Sequence, residues 1–164
     1  SPIHGISMGF SASVSAAHPV CLNRPLVFQS SGRGTRELTS EIDGTLSDMQ
    51  AHEGVCHVFI HHTSASLIIT ENADRDVQVD LDSYMARLVP DGDPIFIHTD
   101  EGDDDMSAHI RSVLTATTLT IPVREGRCDL GTWQGIFLWE HRARPHRRRL
   151  TLSYQGSTRH RGTE

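Results

Sequence analysis

The apolar positions of this chain alternate between stretches of period two and stretches of period three to four, which predicts strands and helices interleaved along one domain. Leu26-Val27-Phe28-Gln29-Ser30 reads as a strand. Beyond Arg33-Gly34-Thr35-Arg36-Glu37, the residues Leu38, Ile42 and Leu46 recur at i, i+4 and i+8, one face of a helix that Gly54 is expected to stop. Residues 55 to 61 read as a buried strand with Cys56, Val58 and Ile60 on one face. His62 shares that parity and points inward if the strand persists. Ser66 to Thr70 is a second short strand, and Val77, Leu81, Tyr84, Met85 and Leu88 then mark an amphipathic helix ended by Pro90.

Asp91-Gly92-Asp93-Pro94 predicts a turn and Ile95 to His98 a strand. The acidic run that follows supplies the cap and first-turn anions of a helix carrying Met106, Ile110, Val113 and Leu114. The last third holds strand signals at Thr118 to Val123, Cys128 to Leu130, Ile136 to Glu140 and Leu150 to Tyr154. Gly131-Thr132-Trp133-Gln134-Gly135 interrupts two of them, where a bulge or a close backbone approach is expected. Hairpin-length connections make the sheet mostly antiparallel. The predicted fold is therefore α+β, a mostly antiparallel mixed sheet, barrel- or sandwich-like, with two to three helices. A Ser- and Ala-rich flexible leader (1–23) precedes the single domain (24–157), and a short tail (158–164) follows it.

Composition narrows the function. The 164 residues suffice for one real core, and no apolar run approaches the roughly 20 residues of a membrane span. A net charge of -6 argues against nucleic acid as a partner. Cys21, Cys56 and Cys128 are odd in number and widely spaced, which points to reduced thiols and a cytoplasmic setting. All fifteen basic residues are arginine, so Schiff-base chemistry and a Walker-type phosphate loop are excluded. Ser64 and Ser66 stand near His62, but no G-x-S-x-G elbow surrounds them.

The candidate chemistry concentrates around His109. Asp100, Glu101, Asp103, Asp104 and Asp105 precede it, and His98 stands just upstream. A second imidazole-rich stretch, His57, His61 and His62, enters Thr63-Ser64-Ala65-Ser66. His62, His98 and His109 lie at the end of a strand or in a first helical turn, and three histidines with an open position suit zinc better than magnesium or manganese. Some of the surplus carboxylates then orient imidazoles or bind a hard cation. Five arginines between Arg142 and Arg149 form the one basic cluster, and Arg124, Arg127, Arg142 or Arg144 could receive a phosphorylated ligand.

Four blocks in order complete the picture: His61-His62-Thr63-Ser64-Ala65-Ser66-Leu67 with Glu71-Asn72-Ala73-Asp74; Glu101-Gly102 leading to Asp104-Asp105-Met106-Ser107-Ala108-His109-Ile110; Gly131-Thr132-Trp133-Gln134-Gly135-Ile136; and Glu140-His141-Arg142. From about Pro25 to Gly156 the chain resembles the YjbQ family. That family is described as secondary thiamine-phosphate synthases, with a barrel-like sheet and usually a homotrimer. The resemblance places histidines at His62, His98 and His109, with Glu71, Asn72, Glu101, Asp104, Trp133 and Gln134 around the same pocket; together with the residues' own chemistry this gives a metal at the three histidines, catalytic carboxylates at Glu71, Glu101 and Asp104, and substrate contacts at Ser64, Asn72, Trp133, Gln134 and Arg142. The implied reaction joins a pyrimidinylmethyl diphosphate to a thiazole phosphate and releases pyrophosphate. Alternatives from the residues themselves are a metal-dependent hydrolase of a small phosphorylated metabolite and a non-catalytic, trimeric metal- or metabolite-binding protein.

Overall fold

A computed structural model describes residues 18–159. Most of the expected leader (1–17) and most of the expected tail (160–164) lie outside the described residues. The elements in chain order are β1 (Val20–Gln29), β2 (Gly34–Glu37), α1 (Thr39–Asp48), β3 (Ala51–Ile60), β4 (Ala65–Glu71), α2 (Arg75–Leu88), α3 (Asp105–Leu114), β5 (Thr118–Arg124), β6 (Arg127–Cys128), β7 (Gln134–Glu140) and β8 (Arg147–Thr158). Five strands form one antiparallel sheet in the order β1-β8-β3-β5-β6, and three form a second in the order β2-β7-β4. The α+β expectation holds, with three helices among the described residues. β1 starts earlier than the expected domain boundary at 24, because Val20 to Asn23 already pair with Gly156 to Ser153.

Between the two sheets lies the larger core. α1 contributes Ile42 and Leu46 to it, the five-stranded sheet Cys56, Val58, Ile121, Leu150, Leu152 and Tyr154, and the small sheet Leu67, Ile136 and Leu138. Alternate residues of β7 face the other way, so Trp139 packs with Met85 and Val89 in a second cluster beneath α2 and α3. The small sheet is thus covered on both faces, and β7 is buried at every position after Gln134. α2 begins where the Asp74 side chain accepts the Asp76 N–H at 2.9 Å, an ordinary N-cap.

Three local expectations are corrected. α1 ends before Gln50, which takes a left-handed φ of 57°, and Gly54 lies inside β3 instead. A Cβ at Gly54 would meet the Gln155 carbonyl oxygen at 2.1 Å, so that position serves the strand crossing at a register shift and not the helix. Ile95 to His98 form no strand. Asp93 accepts the Ile95 N–H on its side chain at 3.0 Å and the Phe96 N–H on its carbonyl at 3.0 Å, curling the segment into a turn that leaves Ile97 97% exposed. Finally, α3 does not bury the stripe its apolar residues suggested. Val113 and Leu114 are exposed, whereas Asp105, Ser107, Ala108, Arg111 and Ser112 are buried.

That inverted face has a tertiary cause. The Arg111 guanidinium donates to the Val89 carbonyl at 2.8 Å and lies 3.7 Å from Asp91, while the Ser107 hydroxyl donates to Asp91. Asp91 also receives a two-pronged ion pair from Arg33 at 2.8 and 3.0 Å. α3 therefore docks largely through polar partners on the segment that follows α2, although Arg111 Nε and the Ser112 hydroxyl are buried there without a partner among the described residues.

Candidate metal centre

Asp105, the first residue of α3, is the hinge of the site. Its Oδ2 faces His98 Nε2 at 2.9 Å and His109 Nε2 at 3.1 Å. One turn of helix separates Asp105 from His109, so both side chains leave the same face, while the turn made by Asp93 returns His98 to them. One ligand atom from each of the three residues lies within 4.8 Å of the others. The other oxygen of Asp105, Oδ1, is held by Arg142 Nη1 at 2.9 Å.

The hydrogen bonding of His109 bears on what fits there. Its Nδ1 lies 3.0 Å from the Thr63 carbonyl oxygen, which can only accept, so Nδ1 carries the proton. A neutral His109 then presents its bare Nε2 to the Asp105 carboxylate, two acceptors in contact. Such a contact is stable only with a cation between them, either a second proton or a metal ion. A ring nitrogen tied to a backbone carbonyl while the other faces the ion is the usual arrangement of a metal-ligating histidine. Two imidazoles and one carboxylate also match the donor sets of zinc hydrolases and non-haem iron sites. The donor set fits a transition-metal dication.

His62 does not join this group. β3 stops at Ile60, so strand alternation no longer carries His62 inward, and its Nε2 accepts the Arg149 N–H at 2.8 Å. Burial and the neighbouring Arg148 charge lower its pKa, which suits a neutral acceptor. Asp105 takes the place expected for His62. Its signature was an Asp-x-x-x-His spacing at the start of a helix, hidden among neighbouring carboxylates.

Behind the centre, Arg142 grips the acidic loop. Its Nε donates to Asp104 Oδ2 at 3.0 Å and its Nη2 to the Glu101 carbonyl at 3.0 Å, in addition to the bond to Asp105. Desolvation works to raise the Asp104 carboxyl, but the Arg142 hydrogen bond, the Ala143 N–H and the Arg142 charge outweigh it and hold the group below the usual carboxylate range. Arg142 is thus engaged by the protein itself. Ser64 sits on the same side, its hydroxyl accepting from Arg148 at 3.0 Å.

The remaining expected site residues lie elsewhere. β4 and β7 pair with Ala65 opposite Glu140 and Glu71 opposite Gln134, so Ser64 and Arg142 flank one end while Glu71, Asn72, Trp133 and Gln134 stand at the other. Six residues at about 3.3 Å each put roughly 20 Å between the two ends. At the far end, Asn72 donates to Glu37 Oε2 at 3.1 Å, and a Cβ at Gly135 would come within 2.7 Å of that same oxygen. A close approach does occur within the glycine-flanked run, but at Gly135 it is made by the side chains of Glu37, Asn72 and Phe137 and not by another backbone. Gln134 Oε1 accepts the Gly131 N–H at 2.8 Å, and Trp133 is exposed. Asn72 borders an open concavity of about 980 Å³ with Glu37, Asp43, Arg127 and Arg159, which contains none of the imidazoles of the metal centre.

A UPF0047 YjbQ-like family model matches residues 25–157. The chain belongs to that family. It is 49% identical over 131 residues to a UPF0047 protein of Synechocystis sp., covering 80% of this chain and 89% of the relative. It is 41% identical over 134 residues to the UPF0047 protein YjbQ of Escherichia coli O157:H7, covering 81% and 96%. Among solved structures, a conserved hypothetical protein of Thermus thermophilus superposes with a TM-score of 0.71 at 31% identity, covering 79% of this chain and 97% of that one. A YbjQ-like protein of Sulfolobus solfataricus superposes with a TM-score of 0.77 at 22% identity, covering 85% and 100%, and shares the fold. Among the described residues no helix is long and apolar enough to cross a membrane.

One further residue of the four blocks had no role assigned from the sequence. His141 is fully buried, with its Nε2 2.8 Å from the Ser66 hydroxyl and its Nδ1 without a protein partner. Burial first, then the charges of Arg111, Arg33 and Arg148, push its pKa down to about 3. It is a neutral structural imidazole, next to the buried Glu140–Arg148 ion pair in which Arg148 Nε donates to Glu140 Oε1 at 2.9 Å.

Proposed function

We propose that this protein is a metal-dependent enzyme acting on a small phosphorylated metabolite, with His98, Asp105 and His109 as the metal ligands. The observation that carries it is the convergence of His98 Nε2 and His109 Nε2 on Asp105 Oδ2 at 2.9 and 3.1 Å, with His109 Nδ1 turned to the Thr63 carbonyl. A dication bound there would act as a Lewis acid, neutralising a phosphate leaving group or activating water. Arg142 steadies the carboxylate, the Thr63 carbonyl sets the His109 tautomer, and Glu101 on the adjoining loop is the candidate base. The specific reaction that the resemblance suggests is thiamine-phosphate formation with release of pyrophosphate.

A second reading, hydrolysis of a phosphorylated metabolite, is favoured by one observation. The two-imidazole, one-carboxylate donor set is the pattern of hydrolytic zinc, whereas Arg142, bonded to Asp104, Asp105 and the Glu101 carbonyl, leaves the substrate phosphate to other groups under either reading. Assembly as a homotrimer belongs to the same proposal. It would let Asn72, Trp133 and Gln134 of one copy approach the metal centre of the next, which a separation of roughly 20 Å, at about 3.3 Å per residue, forbids within a chain.

The test uses protein purified without a histidine tag. Metal analysis should find close to one zinc, manganese or iron per chain. His109→Ala should lower metal affinity by more than about 100-fold, beyond the 10- to 100-fold typical of a supporting residue. Glu101→Gln should retain the metal and lose turnover of the two thiamine precursors or of a phosphate ester. Stoichiometric metal with no turnover of either substrate would leave a binding module; no metal at all would sink the reading.

A further inference from the structure

The two oxygens of Asp105 have different partners. Oδ2 points at both imidazoles, and Oδ1 is bonded by Arg142 Nη1 at 2.9 Å. Both side chains are largely buried, so the bond is shielded from water. Arg142 is itself fixed in three directions: Nε on Asp104 Oδ2, Nη1 on Asp105 Oδ1 and Nη2 on the Glu101 carbonyl. The adjoining Ala143 N–H holds the same Asp104 oxygen at 2.9 Å. A planar guanidinium can satisfy three divergent acceptors at once, whereas a lysine ammonium on a flexible stem cannot reproduce that fork.

A carboxylate meets a metal through one oxygen or both, and the choice changes the coordination number. Larger, harder cations favour two-oxygen contacts and higher numbers, while zinc-class ions favour one oxygen and fewer ligands. We propose that Arg142 is a positioning and specificity-determining residue of the metal centre: by occupying Oδ1 it restricts Asp105 to ligation through Oδ2 alone and thereby selects a low-coordinate, zinc-class ion. This rests on the metal-centre reading above. Arg142 does not touch the ion or the substrate; it acts through Asp105, from the end of β7. Asp104 shares the role one step further out, because it orients the guanidinium.

Cobalt(II) and zinc(II) titrations of metal-stripped protein test this without any activity assay. Wild-type protein should bind cobalt one to one with the intense visible bands of a four- or five-coordinate ion. Arg142→Lys should bind zinc roughly 10- to 100-fold more weakly. At full cobalt occupancy its bands should weaken as Oδ1 enters the coordination sphere, and its zinc-over-manganese preference should fall. Asp104→Asn, which leaves Arg142 and Asp105 in place, should move all three readouts in the same direction by less, and covers the case in which the arginine variant does not fold. A spectrum and metal preference unchanged in whichever variants fold would overturn the role of Arg142 while leaving the metal centre standing. Failure of wild-type protein to bind either ion would overturn the metal-centre reading and this inference with it.

Discussion

His141 places an imidazole where only its neutral form is tolerated, enclosed beside Trp139 with ring centroids 5.2 Å apart and surrounded by arginine charge. Its pKa falls from 6.5 in the unfolded chain to about 3 in the fold. Above pH 6.5 both states are neutral and the residue contributes no pH dependence. Between 6.5 and about 3 the unfolded chain takes up a proton that the folded chain refuses, so stability drops as pH falls. This residue alone contributes a slope of up to about 1.4 kcal/mol per pH unit in that window. Urea unfolding at pH 7 and pH 4.5 should show His141→Gln losing less stability on acidification than the wild type; parallel losses would remove this account. His141 was visible in the sequence, but nothing local distinguished it from the imidazoles at the candidate centre. Burial is a property of its neighbours in space: Ser66 on β4, Trp139 on β7 and Arg111 on α3.

At the scale of elements, strands and helices were legible wherever their pattern was local. α1 follows the spacing of Leu38, Ile42 and Leu46, and β3 the alternation of Cys56, Val58 and Ile60. The buried face of α3 was not legible, since its apolar residues predicted Val113 and Leu114 inside. Polar partners at Val89, Asp91 and Arg142 turn the opposite face inward, and a helix cannot encode what another segment offers it. Gly54 makes the same point in a strand. The crossing of β3 and β8 leaves no room for a side chain, with the Gln155 carbonyl 2.1 Å from where a Cβ would stand. Gly54→Ala should therefore cost about 2–4 kcal/mol, since the obstacle is backbone that cannot rotate away. Gly44→Ala, on a helix with open space around it, should be neutral or stabilising. Thermal unfolding of the two variants separates them, and equal melting temperatures would contradict the close crossing.

At the scale of the whole molecule, Ile95, Ile97, Val113 and Trp133 lie exposed, apolar side chains that an assembly of copies would cover. With the homotrimer proposed above, light scattering at micromolar concentration should give about three times the chain mass of 18.2 kDa. Ile97→Asp should lower that mass without unfolding the chain, and a strict monomer for the wild type would end the idea of a site shared between copies. The sequence by itself determined the α+β class, most strands, the three helices and the crowding of imidazole and carboxylate around His98 to His109, because these follow from residues near one another in the chain. The tertiary structure decided that Asp105 stands with His98 and His109, that Arg142 holds its second oxygen, and that Asn72 and Gln134 stand a strand's length from both. Those relations depend on the register of β4 against β7 and on the docking of α3 against β4 and the segments that follow α2 and β7, distances between segments that no local pattern records.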